Sequence, residues 1–127
     1  MNNPVLKTLV PVVIVVIALL LVVGCASPAE PVTTAPDFNG FITGVDAIDN
    51  NDVVGSIAVE SEADKLLEKY VVTITKDTAI FRLVDGDYQE ISFGDLEEKQ
   101  WLEIWFDGPV AESWPMQAKA LQVVITR

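Results

Sequence analysis

From Phe38 onward the chain is cut into short runs rich in Val, Ile and Thr, with glycines inside the runs and Asp/Asn/Gly clusters between them. Branched side chains are stiff at χ1 and suit a pleated surface better than a helix, so these runs predict strands. "FNGFITGVDA" (38–47) is the first, and "DNND" (49–52) is a turn of residues that tolerate left-handed backbone. "VVGSIAVES" (53–61) is the second strand, and "EADKLLEK" (62–69) reads as one helical turn or a polar excursion. "YVVTITKDTAIFRLV" (70–84) is the strongest strand run, with a bend expected near Lys76-Asp77. Asp85-Gly86-Asp87 is a hairpin turn into "YQEIS", and "SFGDLEEKQ" (92–100) predicts a short helix with acidic residues near its start. "WLEIWFDG" follows as a strand broken at Gly108-Pro109, and "MQAKALQVVIT" (116–126) is the last.

Gly40, Gly44 and Gly55 fall inside strands, where glycine marks bulges and sharp curl. Three curled strands, a short helix and two more strands predict a mainly β fold, a small OB-like barrel with one short helix. A small β-sandwich is the alternative.

Composition narrows the chemistry. All nineteen acidic residues lie after Cys25, with seven of the eight basic ones, so that part carries −12. Such a surface repels phosphate backbones and argues against nucleic acid as a partner. The chain has no His and one Cys. Triads, His-ligated metals, thiolate zinc sites and intrachain disulfides are thereby excluded, and a metal would need oxygen ligands.

Residues 8–23, "TLVPVVIVVIALLLVV", follow a short head bearing Lys7. A positive head, an apolar run and then small residues form the layout of an export signal. A helix spanning a bilayer wants about 20 apolar residues, more than this run supplies. Val22-Val23-Gly24-Cys25 resembles the lipobox of bacterial lipoproteins. That resemblance implies removal of residues 1–24 and acylation of Cys25 by chains of the palmitate kind. It also implies a lipid anchor in the cell membrane, with the domain facing outside the cytoplasm. "ASPAEPVTTAP" then reads as a flexible Pro-rich tether. The expected organisation is a signal peptide (1–24), lipidated Cys and tether (25–37) and an OB-like domain (38–127). An uncleaved signal anchor and a plain secretory signal are the alternatives.

The later sequence resembles the YobA-like domain of unknown function found in Bacillus-type exported proteins. The matching positions are Gly40 with Ile42, Thr78 with Ile80, and Phe93, Asp95 and Leu96 of a Phe-x-Asp-Leu-x-x-Gly turn. Glu112, Ser113, Pro115, Gln117, Ala118 and Ala120 match an E-S-x-P-x-Q-A-x-A stretch. The glycine usual after the helix is Lys99 or Gln100 here. The resemblance implies an OB-like barrel in an exported or lipid-anchored protein, and it carries no activity or catalytic residues.

Three groups are candidates for function. In "WLEIWF", alternation puts Leu102, Ile104 and Phe106 on the core face and Trp101, Glu103 and Trp105 on the other. Two outward Trp flanking a Glu suit stacking against a sugar or a peptide, unless the helix or the tether covers them. In "ESWPMQAKA", Glu112, Ser113, Trp114 and Gln117 line a candidate binding edge, or else form a rigid corner. Asp46, Asp49 and Asp52 form an oxygen-rich loop that Ca²⁺ could occupy, without EF-hand spacing, and a plain turn explains it as well. No nucleophile elbow, phosphate loop or metal-ligand pair at helical spacing is present, so a non-enzyme is expected. The expected function is a membrane-anchored binding or accessory module for a protein or glycan. The alternatives are an envelope-assembly lipoprotein acting through its acidic surface and a weak Ca²⁺-binding domain.

Overall fold

The computed structural model describes residues 30–63 and 66–127, with the side chains of 62, 63 and 66 also left aside. Cys25 and the export signal lie outside the described residues. The strands are β1 (Phe38–Asn50), β2 (Val53–Ala63), β3 (Leu66–Thr75), β4 (Ala79–Val84), β5 (Asp87–Glu90), β6 (Trp101–Phe106) and β7 (Met116–Ile125).

Hydrogen bonding runs β3-β2-β1-β6-β7, and β7 pairs in parallel with β3 to close a five-stranded barrel. The fold is therefore an OB-like β-barrel, with the β4–β5 hairpin added to it. β7 changes partners along its length, pairing with β3 at Met116–Lys119 and with β4 at Gln122–Ile125. Thr78 holds that crossover, because its hydroxyl donates to the Ala120 carbonyl at 2.7 Å and accepts from the Thr75 N–H at 3.0 Å.

The turns follow their residues. Asp85 and Gly86 take φ of 51° and 84°, the doubly left-handed geometry of a two-residue hairpin. β1 bulges between Ile42 and Gly44, and β2 shifts register beside Gly55. A Cβ on Gly55 would run into the Phe93 ring and the Asp46 carbonyl, so glycine there permits close approach of the segment after β5.

Two expectations are corrected. The residues described within 62–69 lie in strands and not in a helical turn, β2 reaching Ala63 and β3 starting at Leu66 opposite it. The helix expected over 92–100 is a single 3₁₀ turn, Phe93–Asp95. The Asp95 carboxylate accepts from the Ser92 N–H and hydroxyl and closes that turn, while Leu96 is already extended.

Two cores result. The barrel interior holds Phe38, Ile42, Ile57, Val59, Val72, Ile74, Leu102, Ile104, Val123 and their neighbours. A smaller core lies outside the barrel wall, where Phe81, Trp105 and Val124 meet Val32, Ala79 and Leu83. Its cover is the segment expected to be a free tether. The compact unit starts at Pro31, not Phe38. Gln122, only 1% exposed, receives the Val32 N–H on Oε1 at 2.6 Å and donates from Nε2 to the Val32 carbonyl at 3.1 Å. The Trp105 indole donates to the Thr34 carbonyl at 3.0 Å, and the Asp37 carboxylate receives the Phe106 N–H at 2.8 Å. Residues 31–37 are thus a strap bound to the barrel.

Candidate functional site

β6 runs antiparallel to β7, so its first residue and its last lie at opposite ends of the barrel. This separates the residues grouped in sequence. Trp101 stands at the end that also carries the termination of β7, 39% exposed, with Phe41 at 5.4 Å and the Arg127 guanidinium 4.9 Å from its ring centre. The Glu112–Gln117 loop stands at the other end, between β6 and β7. The two candidates do not form one site.

Trp105 is corrected outright. It does sit on the outer wall, but it is 5% exposed because the strap and Phe81 cover it. Its ring is core and its indole N–H is spent on Thr34. Glu103, partly exposed, lies between the exposed Trp101 and this covered patch.

The loop after β6 is held by its own hydrogen bonds. Asp107 N–H donates to the Lys119 carbonyl at 2.7 Å, and Ala111 and Gln117 exchange both backbone bonds, at 2.8 and 3.2 Å. The Ser113 N–H reaches back to Ala111, and the Ser113 hydroxyl donates to the Pro115 carbonyl at 2.7 Å. Ser113 is therefore occupied in building the corner. Trp114, at the tip, is 67% exposed, the most exposed large apolar side chain described. Glu112 and Gln117 are exposed beside it.

Next to this loop is a surface the sequence reading missed. On the outside of the barrel, two rows cross the strands: Gly44, Ala58, Val71, Gln117 and Asp46, Ser56, Thr73, Lys119. Alternation identifies them, since Ile57, Val59, Val72 and Ile74 between them are buried. They attract no notice in sequence because small and β-branched residues are ordinary strand content. Lys119 is paired with Asp107 at 3.0 Å, and Lys69 with Glu60 at 3.1 Å below the rows.

At the β1–β2 turn, Ala47, Ile48, Asp49, Val53, Val54, Lys76 and Phe93 line a shallow open groove of about 460 Å³. Asp46, Asp49 and Asp52 surround this turn, all exposed. Among the described residues no group of three His, Cys, Asp or Glu side chains is placed to hold a metal, so these carboxylates do not converge as a Ca²⁺ site would require. Two ionisable groups are perturbed. The Ser92 N–H, then its hydroxyl, hold the Asp95 carboxyl below its usual value. Partial burial, then the nearby Glu68, raise the Tyr70 phenol. Both shifts have local structural causes.

Comparison with known proteins returns no match of the chain to a family model, a curated protein or a solved structure. Lys99, in the segment before β6, takes φ of 73°, the left-handed region that glycine fills without strain. Its N–H donates to the Ile42 carbonyl at 2.8 Å, which fixes the backbone there.

Proposed function

We propose that the chain is a bacterial lipoprotein of YobA-like type, cleaved before Cys25 and acylated on it, held at the cell membrane and facing outside the cytoplasm. Its barrel is a binding or accessory module for a protein or glycan, and it does no catalysis. The observation that carries the binding role is Trp114, 67% exposed on a loop whose shape its own hydrogen bonds fix. Large exposed aromatics on preorganised loops are the groups that dominate recognition surfaces. OB-like barrels place ligands against the strand 2–strand 3 face and its flanking loops, and the Trp114 loop is one of those. Two or three acyl chains on Cys25 supply the lasting anchorage that one chain cannot.

Crosslinking capture from native membranes tests this reading, with the unaltered chain, Cys25→Ala and Trp114→Ala compared. Cys25→Ala releases the chain from the membrane fraction and removes the acyl mass. Trp114→Ala keeps the anchor and loses the captured ligand. A Cys25→Ala chain that stays in the membrane would refute the lipid anchor, and an unchanged capture by Trp114→Ala would refute the loop. The acidic surface, with −12 after Cys25, favours a second reading as an envelope-assembly lipoprotein. In that case partners elute with salt and Trp114 is dispensable.

A further inference from the structure

We propose that the outer wall beneath the strap is a recognition cleft for an extended, proline-flanked peptide of another protein, which the chain's own residues 31–37 fill in cis. The cleft involves neither Trp114 nor the anchor.

The strap is held in the manner of a bound peptide. It belongs to no strand. Gln122, 1% exposed, receives the Val32 N–H at 2.6 Å and donates to the Val32 carbonyl at 3.1 Å, and the Trp105 indole donates to the Thr34 carbonyl at 3.0 Å. All three bonds join a wall side chain to strap backbone, so they select an extended chain and not its sequence. A cover needs only apolar contact. An amide and an indole N–H set in an apolar wall, each satisfied by peptide backbone, are the parts of a peptide-binding groove, and proline-rich segments dock in aromatic-lined grooves because they lose little entropy on ordering.

The side chains add a preference. Pro31, Val32 and Pro36 are half-buried, while Thr33, Thr34 and Ala35 are exposed. The wall therefore reads Pro-Val-x-x-x-Pro and leaves the middle free.

The cleft is also longer than its occupant. The strap runs from Gln122 on β7 to Trp105 and Phe106 on β6. Followed the other way, the wall continues over β4 and β5. There Leu83 lies opposite Tyr88, the Phe81 and Tyr88 rings meet at 6.0 Å, and Tyr88 is 40% exposed. Asp85, Asp87 and Glu90 border it, all exposed. A partner with an apolar residue for Tyr88 and a Lys or Arg for those carboxylates gains contacts beyond the strap's, and so displaces it.

The strap sets the size of the effect. It favours the closed cleft over the open one by roughly 30- to 700-fold (about 2–4 kcal/mol), and lowers the apparent affinity of a free peptide by that factor. The test titrates the full chain in nanodiscs with two end-capped, fluorescein-labelled peptides, Pro-Val-Thr-Thr-Ala-Pro and the same peptide with Lys-Leu ahead of it, read by fluorescence anisotropy. Val32→Asp and the milder Val32→Ala both loosen the strap, so a failure of one to fold leaves the other to decide, with melting temperatures as the control. Each folded variant is expected to bind the first peptide at least tenfold more tightly than the unaltered chain does. Gln122→Leu in the same background removes that gain. The second peptide binds about tenfold more tightly than the first, and Tyr88→Ala abolishes the difference. No gain on loosening the strap, or a gain that Gln122→Leu leaves intact, overturns the cleft. Equal affinity for the two peptides overturns the partner proposed for it.

Discussion

Replacing Trp105 with Ala separates a core role from a ligand role more sharply than any other single change. Trp105 is 5% exposed, and its ring shares the outer core with Phe81, Val124 and Val32. A buried Trp hides about 150–250 Å². At ~25 cal/mol per Å², that is roughly 4–6 kcal/mol, of which Ala keeps a part. Truncation of a buried Trp costs ~3–5 kcal/mol when the void stays open. Here one wall of the site is the strap, which can settle into the gap, so the lower end, about 3 kcal/mol, is expected. For a domain of about 100 residues, that lowers Tm by roughly 12–24 °C. Thermal unfolding followed by circular dichroism measures it, with Trp114→Ala as the exposed control, expected to stay within about 0.5 kcal/mol of the parent. Trp105→Phe keeps one of the two fused rings and loses both the other ring's packing and the bond to the Thr34 carbonyl, so an intermediate cost of about 1–3 kcal/mol is expected. A Trp105→Ala chain that melts within a few degrees of the parent would refute the second core and return Trp105 to the surface.

Three further outcomes follow from named contacts. Thr78→Val removes the hydroxyl that joins Thr75 to Ala120, and should cost about 1–2 kcal/mol in urea unfolding, since it leaves the part-buried crossover without its bonds. Lys99→Gly relieves a left-handed backbone and should stabilise by up to about 1 kcal/mol, read as a higher urea midpoint with an unchanged slope. The Asp95 carboxyl is held below its ordinary 3.8 by the Ser92 N–H and then its hydroxyl, so the folded state binds that proton less tightly. Its contribution is complete above the unfolded value and is lost as pH falls through the lower folded one, a downward shift that carbon NMR titration of Asp95 should show and Ser92→Ala should reduce.

Much of the fold was legible because turns and glycines carry local chemistry. Asp85-Gly86 between two strand-like runs is a strong signal for a two-residue hairpin, and Gly44 and Gly55 mark their register shifts from sequence alone. The 92–100 segment reads as a helix because acidic residues near a start signal one, whereas the chain turns once at Phe93–Asp95, is extended at Leu96 and is tied to β1 by the Lys99 N–H on the Ile42 carbonyl. The site was harder. Alternation states which wall of the barrel a side chain faces and is silent on whether something covers that wall. Trp101 and Trp105 share a face and differ sevenfold or more in exposure, because the strap bonds to Gln122 and Trp105 from about 70–90 residues away in sequence. Nor does sequence adjacency show that Trp101 and Trp114 occupy opposite barrel ends, which follows only from the pairing of β6 with β7.

The strap also decides where the domain begins. Pro-rich, Thr-rich stretches form tethers because they cannot bury enough apolar surface to offset their ordering. Residues 31–37 escape that rule with one side chain packed on the outer core, Val32, with partners that hold the backbone at Val32 and Thr34, and with the Asp37 carboxylate on the Phe106 N–H. Gln122 meets both the N–H and the carbonyl of Val32, so its amide substitutes for a neighbouring strand. A chain starting at Phe38 keeps every barrel strand and loses this cover, leaving Phe81, Trp105 and Val124 open to water. A chain starting at Pro31 should therefore be more stable by about 2–4 kcal/mol, most of it from apolar burial, because Gln122 regains water partners once the strap is gone. Urea unfolding of the two chains side by side measures the difference. Equal midpoints would mean that the strap rests on the barrel without stabilising it, and the boundary would return to Phe38.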